Sequence, residues 1–118
     1  MSMPTIKFKN YTGHDLLDLT TGVKYPVGDK VARSRYVHTP VAYSEEGSPI
    51  YEFSWSKPVG LPEPEEGVVC IVSSVVFNAV KHYCNNDGVM FPKCCVVNNS
   101  RFNGEGVPYG CFGFKFNG

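Results

Sequence analysis

The fold turns on Val68-Val69-Cys70-Ile71-Val72, then Ser73-Ser74, then Val75-Val76-Phe77-Asn78-Ala79-Val80-Lys81-His82-Tyr83. The opening five residues are continuously apolar and β-branched apart from one cysteine. That pattern predicts a strand covered on both faces rather than one. Beyond the serines the period changes. Val75, Val76, Ala79, Val80 and Tyr83 fall on one helical stripe, with Asn78, Lys81 and His82 off it. Ser73 or Ser74 suits the N-cap, because its hydroxyl accepts from a free amide of the first turn. Asn85-Asn86-Asp87-Gly88 supplies the stop, giving one main helix over about residues 74–84.

Outward from this unit the chain reads as short strands. Upstream, residues 57–67 carry Pro58, Pro62 and Pro64 with Gly60 and Gly67, which excludes helix and predicts an extended surface connection. Before it, residues 50–55 place Tyr51, Phe53 and Trp55 on one face, an aromatic stripe that reads first as core and second as an interface for self-association. Residues 31–37 form a strand with mixed faces. Residues 23–27 form a shorter one, which Pro26 demotes to an edge. Residues 5–9 alternate, with Ile6 and Phe8 facing one way and both lysines the other. Downstream, residues 94–97 are a short apolar run. Residues 109–116 alternate with Phe112, Phe114 and Phe116 on one side, and Gly110 and Gly113 there signal a bulge or a close backbone approach. The sum is an α+β fold over residues 1–118 as a single domain, a mostly antiparallel sheet with one helix on a face.

Charge and cysteine usage narrow the function. Eleven basic and eleven acidic residues cancel, so the chain lacks the field that drives non-specific nucleic-acid binding. No apolar run reaches the length of a membrane span and no secretory signal is visible. Cys70, Cys84, Cys94, Cys95 and Cys111 are odd in number, with two adjacent, so they read as reduced thiols of a cytoplasmic protein. They also fail as a zinc set. Adjacent Cys94 and Cys95 would point to opposite strand faces, and the C-x(2–4)-C spacing is missing. No metal and no cofactor is expected.

Three features remain as candidate chemistry. His14 beside Asp15 follows a glycine turn and could form a tuned base, although such neighbours are mostly inert. Glu45-Glu46 and Glu63, Glu65 and Glu66 sit in Gly- and Pro-containing loops, and read as solvated surface. The strand–Ser73-Ser74–helix junction offers free amides and a positive dipole end suited to phosphate or carboxylate, with Arg33, Arg35 and Lys30 as candidate counter-charges. An ordinary serine cap is the plainer reading of the same residues.

Three motifs carry a resemblance. Asn10-Tyr11-Thr12-Gly13-His14-Asp15-Leu16 resembles an N-L-T-x-H-x-[IL] opening. Gly60-Leu61-Pro62-Glu63-Pro64-Glu65-Glu66-Gly67 followed by Val68-Val69-Cys70-Ile71-Val72-Ser73 resembles G-L-P-x-P-x-x-G-x-x-Y-I-V-S, and Gly110-Cys111-Phe112-Gly113-Phe114 resembles G-C-x-[GS]-[FL]. Together they are similar to a group of small, functionally uncharacterised proteins of bacteriophages, prophages and bacteria. Cys70 replaces an aromatic of that pattern, and Val97-Asn98-Asn99-Ser100 lacks its Arg-Asp pair. The resemblance implies a phage setting, the host cytoplasm, and no transferable catalytic residues. The leading expectation is therefore a non-catalytic, counter-defence protein that binds a host component. It would inhibit a host protein or sequester a small nucleotide through Ser73, Ser74, Arg33 and Arg35. The alternative is a small hydrolase using His14 and Asp15.

Overall fold

A computed structural model describes residues 5–116. In chain order its elements are β1 (Lys7–Asn10), β2 (Leu16–Leu17), β3 (Lys24–Tyr25), β4 (Tyr36–Tyr43), β5 (Pro49–Trp55), β6 (Val68–Ile71), α1 (Ser74–Asp87), β7 (Cys94–Val97), β8 (Arg101–Phe102), β9 (Pro108–Gly110) and β10 (Phe114–Lys115). The α+β class holds, with one helix among the described residues.

The main sheet is a correction to the antiparallel expectation. Its order is β1-β6-β7-β10. The pairs β1/β6 and β6/β7 are parallel, and only β10 runs against its neighbour β7. The reason lies in the opening stretch itself. A strand followed by a helix and another strand closes as a crossover, which returns the second strand parallel to the first. Antiparallel pairing is confined to β10 on β7 and to the two-stranded units β2–β3, β4–β5 and β8–β9.

β6 is covered on both faces, as its continuous apolar run predicts. On one face Cys70 and Val72, with Cys94 and Val96, pack beneath Val76 and Phe77 of α1, joined by Ala32 and Leu61. On the other, Val69, Ile71 and Cys95 meet Leu16 and Tyr25 of the small β2–β3 unit, with Ile6, Phe8 and Phe114 alongside. Phe8, Tyr25 and Phe114 close that side as an aromatic trio, with Phe8 and Phe114 at 4.7 Å. Each large side chain removed from water in this way contributes about 1.5–3 kcal/mol. Cys94 and Cys95 thus belong to opposite cores, as adjacent strand residues must.

Ser73 is the N-cap of α1, its Oγ accepting from the Val76 amide at 3.3 Å. The helix runs a turn beyond the expected end. Asn85, Asn86 and Asp87 remain helical, and the Asn86 side-chain Nδ2 donates to the His82 carbonyl at 2.8 Å. Gly88, with φ of 66°, makes the left-handed stop. The strand expected over residues 31–37 is displaced. Arg33 makes only an isolated bridge to Val59, and the real strand, β4, begins at Tyr36. The 109–116 alternation is also divided, since Gly113 at φ 78° bends the chain between β9 and β10. Of its three phenylalanines, only Phe114 packs against a core cluster.

Candidate functional site

Because β1, β6 and β7 are parallel, their carboxyl ends share one edge of the sheet. The chain leaving them lines a cavity of about 220 Å³. Open parallel sheets place ligands at this edge, where backbone amides and loop side chains converge. Val72, Val96 and Leu16 give the cavity apolar lining, while Thr12, His14, Ser73, Ser74 and Ser100 bring polar groups. Phe102 and Tyr109, from the β8–β9 hairpin, complete it and are themselves more than half exposed.

The loop bearing Thr12 and His14 is held by Asn10, a buried residue at the end of β1. Its Nδ2 donates to the carbonyls of His14 at 2.8 Å, Tyr25 at 3.0 Å and Pro26 at 3.3 Å. Its Oδ1 accepts from the amide and the hydroxyl of Thr12. Asp18 performs a second tethering. Its carboxylate accepts from the Thr20 amide, the Thr21 hydroxyl and the Gly113 amide, the last at 3.2 Å, so the β2–β3 turn is fastened to the approach to β10. Burial alone would raise the Asp18 pKa, but these donors outweigh it and hold it below the usual carboxylate value. Neither residue was picked out as functional from sequence. The signal for each was local, an Asn or Asp followed two residues later by Thr at a turn.

His14 and Asp15 both line the cavity, yet they do not form a working pair. The Asp15 carboxylate accepts from the Val27 amide at 2.8 Å and lies 3.3 Å from Lys24 Nζ. Those contacts, the amide first, hold its pKa below the ordinary value. The acid that would orient His14 is thereby committed to the β3 side of the loop.

Behind the helix N-terminus lies a second, more open cleft of about 580 Å³, lined by Arg33, Ser34, Arg35, Ser56, Lys57 and Val59 among others. Thr12 and Ser73 line both spaces. The cationic wall is built by backbone pairing. Arg33 and Val59 exchange both amide bonds, at 2.9 and 3.0 Å, and Ser34 Oγ donates to the Ser56 carbonyl at 2.7 Å. Gly60 permits this crossing. At φ 87° its absent Cβ would run into the Val31 carbonyl. Among the described residues Arg33, Arg35 and Lys57 make no ion pair, and the first turn of α1 holds no acidic side chain.

The structure therefore brings Ser73 together with Arg33 and Arg35 in one cleft, and with Ser74, His14 and Asp15 in the other. Lys30 falls elsewhere, on a separate groove with Lys9 and Asp29. Glu65 and Glu66 line a further groove, and Glu65 lies 3.6 Å from Lys9. Among the described residues no three His, Cys, Asp or Glu side chains gather as a metal site. Nor is any helix there long and apolar enough to cross a membrane. Comparison with family models, curated proteins and solved structures gives no match to this chain.

Proposed function

We propose that the protein is a non-catalytic binder of a small phosphate-bearing ligand of nucleotide type. The observation that carries this reading is the common wall formed by Thr12 and Ser73 between an apolar cavity with aromatic sides and a cleft with three cations. A nucleotide has the matching division, a flat base at one end and an anion at the other. Phe102 and Tyr109 offer ring faces for the base. Arg33, Arg35 and Lys57 offer charge to the phosphate, reinforced by the positive end of the α1 dipole.

The resemblance to small phage and prophage proteins gives the binding a setting. Within a host cytoplasm, a protein that holds a nucleotide signal would act as a counter-defence factor by sequestration. Inhibition of a host protein is the other form of the same role, and the two cavities favour the small ligand. The hydrolase alternative is weaker, because Asp15 is occupied by Val27 and Lys24 rather than by His14.

Isothermal titration calorimetry tests the reading with cyclic mono- and dinucleotides, ADP-ribose, and adenosine as the phosphate-free control. Heat is expected from at least one phosphorylated compound and not from adenosine. Arg33→Ala with Arg35→Ala should weaken that binding by roughly tenfold or more, since each lost charged hydrogen bond is worth about 1.5–3 kcal/mol. Absence of heat from every phosphorylated compound would overturn the proposal.

A further inference from the structure

The β4–β5 hairpin meets α1 at its Trp55 end, where the Tyr83 hydroxyl donates to the Trp55 carbonyl at 2.9 Å, and projects from there into solvent. Strand pairing places Tyr36 opposite Trp55, His38 opposite Phe53, Pro40 opposite Tyr51 and Tyr43 opposite Pro49, so these residues share one face. Their rings form a continuous ladder, Tyr36 to Phe53 at 4.6 Å and His38 to Phe53 at 5.2 Å, reaching His82 of α1 through Trp55 at 5.5 Å. The ladder is nevertheless open to solvent, Tyr36 by 46%, Phe53 by 50%, Tyr51 by 57% and Tyr43 by 68%. The sequence reading of the Tyr51, Phe53 and Trp55 stripe as core therefore holds only at Trp55, which is half-buried against α1, and is corrected for Tyr51 and Phe53, which stay exposed.

We infer that this aromatic face is the contact surface of a symmetric dimer of this chain. Three observations select a second copy as its occupant. First, the four exposed aromatics named above present roughly 450 Å² at about 200 Å² per side chain. A standard interface takes about 800 Å² from each partner, which the neighbouring His38, Pro40 and Pro49 help to reach. Second, α1 covers the face at Trp55 but leaves Tyr36, Tyr43, Tyr51 and Phe53 exposed, and a two-stranded hairpin is marginal in water without a packed face. An occupant available wherever the chain is made is the one best placed to cover the remainder, and another copy of the chain is always available. Third, the paired residues of this face include neither carboxylate nor lysine nor arginine, and Glu52, midway along β5, lies on the opposite face with Thr39. A neutral aromatic surface opposes itself without repulsion, as a two-fold contact requires. The exposed rings make this a contact of faces. Pro40 and the irregularity between Pro40 and Ala42 interrupt the free edge of β4, which opposes strand addition there.

Size-exclusion chromatography with light scattering on the full chain tests the inference. At about 100 µM the expected mass is twice the 13.1 kDa of one chain, falling to one chain on dilution by mass action. Phe53→Lys and Tyr51→Lys should each raise the dissociation constant by roughly a hundredfold, within the range of central aromatic contacts. Glu52→Lys, on the opposite face, should leave it unchanged. Where the lysine variants fail to fold, hydrogen exchange of the natural chain decides, with β4 and β5 amides expected to gain protection as concentration rises. A monomer at every concentration overturns the inference and leaves the face to a partner of different sequence. A dimer indifferent to both lysine variants, or hairpin exchange independent of concentration, overturns it as well.

Discussion

Single residues hold the site, and most of them act by accepting or donating to backbone rather than by facing a ligand. Asp18 is the sharpest case, since one carboxylate joins a turn after β2 to Gly113, far along the chain. Asp18→Asn should destabilise the fold by about 1–2 kcal/mol at neutral pH, as the loss of charge-assisted hydrogen bonds implies. The sign with pH follows from its lowered pKa. The stabilisation is present above the unfolded value near 3.8 and is lost as pH falls through the lower folded value. Urea midpoints for the two proteins should therefore converge on acidification below that value. Asn10 and Asp18 were hard to recognise in the sequence because a turn-forming Asn or Asp is ordinary. Only the fold shows that their partners lie 15 and 95 residues away.

At the scale of elements, the strand–serine–helix unit was the most legible part of the chain. Its continuous apolar run, its cap and its stop each express a local preference, and local preferences survive into the folded state. Ser73→Ala should cost about 1 kcal/mol through loss of the cap, measured by denaturant unfolding. Ser73→Gly should recover most of it. What the sequence hid was the pairing of that unit. Whether β1 runs with β6 or against it is decided by the path of the 57 residues between Asn10 and Val68, and hydrophobic period says nothing about path. The β4–β5 stripe misled for a related reason. Alternation reports that two faces differ, not that the apolar one is covered.

The molecule as a whole is elongated. Its radius of gyration is 17.1 Å, against about 13.5 Å for a compact chain of this length, and its extents are 58 × 40 × 31 Å. Its compact part depends on thiols that stay neutral. Burial pushes Cys94 and Cys95 up to about 12, from 9.0 in the unfolded chain. Tyr25 is also raised, first by burial and then by the Asp18 charge. The stabilisation is complete below pH 9 and is lost as pH rises through the folded values. The urea midpoint should thus fall between pH 8 and pH 10.5, and less steeply when Cys94 and Cys95 are both replaced by alanine. The stitch between Leu17–Leu19 and Cys111 has a different consequence. Leu19 donates to the Cys111 carbonyl and Cys111 returns an amide to Leu17, so the cavity edge at Leu16 and Gly110 exists only when these distant segments meet. Such long-range closure is slow relative to local structure. During synthesis a growing chain would therefore contain the segments of its helix and its cationic cleft before the cavity beside them could close. The cavity would then be completed in one late step as residue 111 docks.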